Sequence, residues 1–186
     1  SFYNCENLEA ITIPENVTQV GDAAFYGCLH LTQARIYNKT LSIEEFSQCT
    51  SLASVTLNNE ITVIPEKCFK NSTCTNLYRT IGTDEENPDG NDTAQGFPLN
   101  LAVIKEEAFY GSSILKVNLP DATKTVGNSA FEACKAITTV DLNKITSLGE
   151  RSFANCASTS LTQITIPETL VDSTEENGNI VFAIGS

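Results

Sequence analysis

The sequence contains few of the groups on which catalysis depends. Its 186 residues include one histidine, His30, and no tryptophan or methionine. A histidine serves as a general base only when a partner group positions it, and the chain has neither a G-x-S-x-G motif nor a phosphate-binding loop. We therefore expect a protein that is not an enzyme and that needs no cofactor.

Basic residues are also scarce, since 11 Lys and Arg stand against 23 Asp and Glu and give a net charge of −12. Nucleic acid and anionic membrane surfaces would repel this charge, whereas a basic protein surface would be attracted to it. No apolar run approaches the roughly 20 residues that span a bilayer. We expect no nucleic-acid partner and no membrane insertion within this stretch, and the lack of a C-x-x-C pair argues against a metal site.

What the sequence does have is an internal repeat anchored on phenylalanine. Its copies are spaced 21–23 residues apart, except for one interval of 40, which we interpret as one period plus an insertion. An aliphatic residue precedes each anchor by five positions in six copies, and a cysteine follows it by three positions in five. The anchors are Phe2, Phe25, Phe46, Phe69, Phe109, Phe131 and Phe153.

A short alternating run follows each anchor, as in Ile11-x-Ile13 and Val140-x-Leu142. Alternation of β-branched residues predicts a strand with one buried face. Asn or Gly two residues after most anchors indicates a left-handed tight turn or helix end, and we expect a short helical turn around the anchor. Stacked copies would bury one continuous core, which predicts a β-rich α/β solenoid of about seven copies with one parallel sheet.

The seven cysteines are predicted to be reduced. Five occupy a fixed repeat position, where a thiol behaves as a small buried apolar group, and Cys68 takes a position that alanine holds in other copies. Cys74 alone lies off the pattern, so we expect a thiol reagent to modify at most this cysteine in the native protein. An odd number of cysteines also argues against a disulfide framework, although neighbouring copies would be close enough for oxidation. The five are Cys5, Cys28, Cys49, Cys134 and Cys156.

The repeating unit I-G-x-x-A-F-x-x-C-x-x-L-x-x-I-x-I-P resembles the BspA-like leucine-rich repeats of bacterial and protist surface proteins. One copy carries it from Val20 to Ile36, another from Val126 to Leu142, and a third from Leu148 to Pro167. The resemblance implies a non-catalytic, secreted or cell-surface protein that adheres to host, matrix or cell-surface proteins. It identifies no ligand and no catalytic residue.

We expect one leucine-rich repeat domain over residues 1–186, as a fragment of a longer array, because no signal peptide is visible and the pattern is already under way at Ser1. A turn-rich acidic loop is predicted at about 82–98 and an irregular segment at 169–186. Within the loop, residues 85–91 resemble the start of a calcium-binding loop. The twelfth position is Gly96 instead of the bidentate Glu, which favours a solvated loop.

The exposed positions of the strands form the predicted contact face, because they alternate with the buried aliphatic residues. The face is polar and lacks the Trp, Tyr and clustered Arg of strong binding sites, so individual contacts should be weak. A merely solvated surface is the alternative at the level of residues. The predicted ligand-binding residues are Gln33, Arg35, Thr56, Lys116, Asn118, Asp141 and Gln163.

The function predicted from these features is protein–protein interaction or adhesion at the cell surface. The alternatives are a carbohydrate-recognition or scaffold module of a larger extracellular protein, and a structural spacer. Four N-x-T triplets would be glycosylated in a eukaryotic surface protein, although such triplets also arise by chance. Their asparagines are Asn16, Asn38, Asn71 and Asn91.

Overall fold

The computed structural model describes residues 1–81, 93–156 and 161–170, and within them the chain forms a β-solenoid. Short strands and turns succeed one another in every copy, and the described residues hold a single short 3₁₀ helix, η1 (Glu168–Leu170). The strands are β1 (Ala10–Ile13), β2 (Gln33–Ile36), β3 (Ser54–Leu57), β4 (Val63–Ile64), β5 (Asn76–Thr80), β6 (Thr93–Gln95), β7 (Val103–Ile104), β8 (Lys116–Asn118), β9 (Thr125–Val126), β10 (Thr139–Asp141), β11 (Ser147–Leu148) and β12 (Gln163–Thr165).

The predicted strands after each anchor form the broader side of the solenoid, where they pair in parallel from one copy to the next. They are divided between two sheets, one in the order β1-β2-β3-β5 and the other in the order β12-β10-β8. At the edge of the first sheet, β6 from the segment predicted to be a loop adds one antiparallel strand. A narrower parallel sheet, in the order β11-β9-β7-β4, is formed by the two-residue strands that precede the anchors in four of the copies. The prediction of a single parallel sheet is therefore wrong in number. The broad side is interrupted between β5 and β8, and the two-residue strands of the narrow sheet are too short for alternation to reveal them.

The anchor phenylalanines form one continuous column, as the repeat register predicts. All seven rings stack nearly parallel, with centroids 5.0–5.6 Å apart between neighbouring copies. The column crosses the insertion without a gap, since Phe69 and Phe109 stack at 5.1 Å. Rings of this size bury much of the apolar area of a core, so the column accounts for the conserved spacing of the copies along the chain.

The turn that carries the anchor contains two left-handed residues in six of the seven copies and no helix, which corrects the expected helical turn. One lies two residues after the anchor, where Gly27 and Asn71 have φ values of 66° and 54°. The other lies two residues before it, as at Ala23 and Glu107. These φ values direct backbone N–H groups along the solenoid axis, so the Phe69 N–H donates to the Ala108 carbonyl at 2.7 Å.

The cysteines are free thiols, and most of them belong to a ladder of hydrogen bonds. Cys134 Sγ donates to the carbonyl of Phe109 at 2.9 Å, and Cys156 Sγ donates to that of Phe131 at 3.0 Å. Burial raises the pKa of Cys134 to about 12 and that of Cys156 to about 11. The repeat position therefore holds a thiol that is both a small apolar group and a donor to the preceding copy.

Cys74 does not provide the accessible thiol that its position off the pattern suggests. Its exposed fraction is 1% and burial raises its pKa to about 12. Cys5, in contrast, is half-buried, because it belongs to the first copy and no preceding copy covers it in the described chain.

Candidate functional site

The strand face is the set of outward side chains on β1, β2, β3, β5, β8, β10 and β12. Arg35 on β2 is exposed, and Gln33 beside it is half-buried. Lys116 and Asn118 on β8 are exposed, as are Asp141 on β10 and Gln163 on β12. The structure thus separates the predicted residues into a pair on the first sheet and a group of four on the second.

The remaining predicted residue, Thr56, is not available for contact. Only 7% of it is exposed, although its position in β3 alternates with the core residues Val55 and Leu57. In the sheet register Thr56 lies between Arg35 and Tyr78. Both neighbours are larger, so a small side chain between them is covered, and alternation alone cannot reveal this.

The four predicted residues of the second sheet surround a shallow depression of about 340 Å³. Its wall also includes Thr139 and Thr165. The registers Thr139↔Lys116 and Asp141↔Asn118 place cationic, amide and carboxylate groups side by side on neighbouring strands. A surface of this kind offers many hydrogen-bonding groups and no aromatic anchor, which suits contacts that are numerous and individually weak.

A deeper cleft of about 390 Å³ lies where the two broad sheets fail to join. We call it the β5–β8 cleft, and sequence reasoning did not find it. On its polar side are Asn76, Arg79, Gln95, Asn118 and Lys116, and its apolar lining is Leu77, Phe97, Leu99, Leu115 and Pro120. Gln95 and Phe97 come from the segment predicted to be a loop.

The cations of the strand face differ from those elsewhere on the chain. Among the described residues, ion pairs involve Lys39 with Glu15 and Glu60, Lys70 with Glu107, Lys144 with Asp121, and Arg151 with Glu132. None of these cations lies on the strand face. Over the same part of the chain, Arg35 and Lys116 on the strand face form no ion pair. Neither does Arg79, which lies off the strand face in register with the core residue Leu57.

Two buried carboxyl groups titrate in opposite directions. The Arg151 guanidinium bonds both oxygens of Glu132 and, with Ser129, lowers the pKa of that carboxyl. Glu45 pairs with no cation of the residues that the structure describes, and its burial raises its pKa to about 7. Its Oε2 accepts the Ser42 N–H at 2.7 Å, whereas its Oε1 is buried without a partner. Neither group reaches the strand face, and both act on stability.

No constellation for catalysis or metal binding stands out among residues 1–81, 93–156 and 161–170. His30 is exposed, and its Nδ1 lies 2.5 Å from the Glu6 carbonyl oxygen, a backbone contact between copies. No group of three His, Cys, Asp or Glu side chains in those ranges could hold a metal ion. The residues that resemble a calcium loop, 85–91, lie outside the described part of the chain.

The four glycosylation triplets differ in accessibility. Asn16 is exposed, and Asn71 is half-buried. Asn38 is fully buried, with its Nδ2 donating to the Thr40 carbonyl at 2.9 Å, so a glycan there is incompatible with the fold and that prediction is wrong. Asn91 lies outside the described residues.

With the solenoid and its repeat geometry established, the comparison with known families is decisive for the class of protein. The BspA type leucine rich repeat region matches residues 1–84 and 93–178 in 6 copies. The chain belongs to this family, which confirms the resemblance drawn from the repeat. Proteins of this family and fold are typically non-catalytic and generally bind other proteins.

Three solved structures are similar to the chain. A leucine-rich repeat protein of T. pallidum matches at 22% identity and a TM-score of 0.67, over 87% of this chain and 71% of that one. A leucine-rich repeat protein of Bacteroides ovatus matches at 24% identity and a TM-score of 0.34, over 87% and 55%. A leucine rich cell surface protein of Faecalibacterium prausnitzii matches at 18% and 0.48, over 89% and 62%. The first supports the solenoid fold.

No functionally curated protein matches the sequence. In the described residues, no helix has the length and apolar character needed to cross a membrane.

Proposed function

We propose that the chain is a non-catalytic module of a secreted or cell-surface protein and that it binds other proteins through its strand face. The observation that carries the proposal is the depression on the second sheet, where Lys116, Asn118, Asp141 and Gln163 present exposed polar groups on adjacent strands. Stacking places equivalent positions of successive copies about 5 Å apart, so small polar side chains combine into one surface.

Placement at the cell surface is supported by membership of the BspA-type family. The cysteines are compatible with an oxidising environment, because six of the seven are buried and the backbone ladder occupies several of the thiols. A buried thiol of raised pKa is a poor nucleophile and resists exchange.

The charge of the strand face has a consequence for the partner. The net charge of −12 acts at long range and favours approach by a basic protein. At contact, screening over about 8 Å makes the local groups decisive. Arg35 and Lys116 form no ion pair within the described parts of the chain, and Asp141 lies near Lys116 in register, so the bound surface of the partner should carry both signs of charge.

The experiment is a binding screen of the protein against immobilised matrix and host cell-surface proteins, run beside a glycan array. Gln163→Arg and Thr165→Arg place bulky charge in the depression, and Ser51→Arg adds the same charge at an exposed turn off the strand face. We expect binding to a protein, lost in the first two variants and retained in the third, with unchanged thermal melts.

Retention of binding in both depression variants would refute the assignment to the strand face. Binding to glycans alone would favour the carbohydrate-recognition alternative.

A further inference from the structure

The β5–β8 cleft exists because β6, from the insertion, pairs with the edge of β5 on which β8 would otherwise continue the broad sheet. β6 folds back antiparallel on β5, with Tyr78 opposite Gln95 and Thr80 opposite Thr93. The Gly96 N–H then donates to the Leu77 carbonyl at 2.9 Å. As a result, β8 pairs with β10 alone, and the two broad sheets end at β6 and β8 on either side of the cleft.

Among the described strands, none pairs with the edge of β8 that faces the cleft. The Leu119 N–H donates to Asp141 at 3.0 Å and the Leu115 carbonyl accepts from Thr138 at 2.8 Å, so both point toward β10. Backbone groups alternate in direction along a strand. The N–H and C=O groups of Lys116 and Asn118 therefore point toward the cleft, and an open edge of this kind is a template for a further strand.

One positive charge in the cleft, that of Arg79, lies at a repeat position where the preceding copies have an aliphatic residue. The sheet register aligns Ile13, Ile36 and Leu57 with Arg79, so a guanidinium occupies a position that is aliphatic in the three preceding copies. One Arg79 nitrogen donates to the Gln95 carbonyl at 3.1 Å. A guanidinium has five N–H donors, which is more than this one bond uses.

Lys116 lines the same cleft, and neither it nor Arg79 forms an ion pair among the described residues. Two unpaired cations at one cleft are notable in a chain of net charge −12. Beneath them, Leu77, Phe97 and Leu115 supply apolar surface. A guanidinium favours carboxylates, which it can bind through two parallel hydrogen bonds.

We propose that the β5–β8 cleft binds an extended peptide segment that pairs with the open edge of β8 and presents a carboxylate to Arg79 and Lys116. The inference rests on the proposed function, because it names the part of a protein partner that this site recognises. The open strand edges favour a peptide over a small organic acid, since edge pairing uses backbone groups that the acid lacks.

The test uses three synthetic heptapeptides that alternate Val and Thr and differ at two points. The first has a central Glu and an amidated end, the second replaces Glu by Gln, and the third has the Gln together with a free terminal carboxylate. Affinities and backbone amide exchange of Lys116 and Asn118 are measured by NMR on the uniformly labelled protein. A charge-assisted hydrogen bond corresponds to about a tenfold preference for a carboxylate-bearing peptide.

The first or the third peptide should bind at least about tenfold more tightly than the second. Tighter binding of the first identifies a side-chain carboxylate as the group recognised, and tighter binding of the third identifies a terminal carboxylate. Binding should also slow exchange of the Asn118 amide. Arg79→Leu restores the aliphatic column, so it should fold and lose the preference. Lys105→Gln removes one cation at an exposed site outside the cleft and should keep it.

Asn118→Pro removes the N–H that faces the cleft while leaving the Val117 and Leu119 N–H groups, and it should abolish binding of all three peptides. Equal affinity for the three peptides, or an unchanged preference in Arg79→Leu, would overturn the carboxylate assignment. If the backbone amide of Asn118 exchanges as fast in the peptide-bound wild type as in the free protein, edge pairing is overturned, whether or not the proline variant folds.

These outcomes are separable from those of the proposed function. If Gln163→Arg abolishes binding to a protein partner while the peptides bind nowhere, the strand face stands and the cleft assignment falls. If the peptides bind the cleft while Gln163→Arg and Thr165→Arg leave partner binding intact, the cleft assignment stands and the strand-face assignment falls.

Discussion

Glu45 should make the protein less stable as the pH rises toward neutrality. In the unfolded chain its carboxyl has the ordinary pKa of 4.5, whereas burial raises the pKa to about 7 in the folded state. Between these values the unfolded state has released a proton that the folded state retains. Stability therefore falls from about pH 4.5 to pH 7 and then levels off, because a bare carboxylate must be buried above that range.

The size of the effect follows from the shift. One pKa unit corresponds to about 1.4 kcal/mol, so a rise from 4.5 to about 7 corresponds to about 3 kcal/mol. Glu45→Gln keeps the shape and retains an oxygen for the Ser42 N–H, which lies 2.7 Å away, but it cannot ionise. In urea unfolding, the variant should match the wild type at pH 4 and exceed it by about 3 kcal/mol at pH 8.

Glu132→Gln is the matched control, since the pKa of Glu132 is lowered by its hydrogen bonds to Arg151. A lowered pKa contributes stability above the unfolded pKa of 4.5 that is lost as the pH falls through the folded value. This variant should be less stable than the wild type at pH 8, opposite in sign to Glu45→Gln. If both substitutions change the free energy of unfolding at pH 8 in the same direction, burial without a cation does not explain the pH dependence that we assign to Glu45.

Three further predictions concern the repeat itself. Phe131→Ala should cost about 3–5 kcal/mol in thermal or urea unfolding, because it empties the ring column, and an unchanged melt would contradict the register. A thiol reagent should label native Cys5 quickly, and prompt labelling of several others would refute their burial; those protected are Cys28, Cys49, Cys68, Cys74, Cys134 and Cys156. Gly149→Ala should cost about 1–3 kcal/mol, since a Cβ there would lie 2.4 Å from backbone atoms of the preceding copy. Gly21→Ala meets nothing within 4 Å and should be neutral or stabilising by about 0.4–1 kcal/mol, so equal losses at the two glycines would contradict this packing.

The features that recur in every copy could be predicted from the sequence. The ring column, the parallel strands and the left-handed residue after each anchor repeat at fixed offsets, so each copy supports the others. The second left-handed residue, as at Ala23 and Arg151, escaped notice because ordinary L-residues occupy it. Only the hydrogen bonds between copies, which form after stacking, compensate such a backbone conformation.

The candidate site was harder to predict because it depends on where the repetition fails. Arg79 is recognisable as exceptional only when the register with Leu57 is known, and the irregular spacing after Phe69, where Cys74 lies off the pattern, hides that register in the sequence. Thr56 is covered by neighbours from two other copies, which no local pattern encodes. The polar face of β8 and β10, in contrast, follows directly from alternation.

The interruption of the broad sheet also has a mechanical consequence. The ring column and the narrow sheet pass the insertion unbroken, through the Phe69–Phe109 stack and the pairing of β4 with β7. On the broad side, the bond from the Leu115 N–H to the Thr75 carbonyl is the described backbone link between β5 and β8. When force bends the solenoid, we expect the ring column and the narrow sheet to act as the hinge. The two broad sheets should then move apart at the β5–β8 cleft.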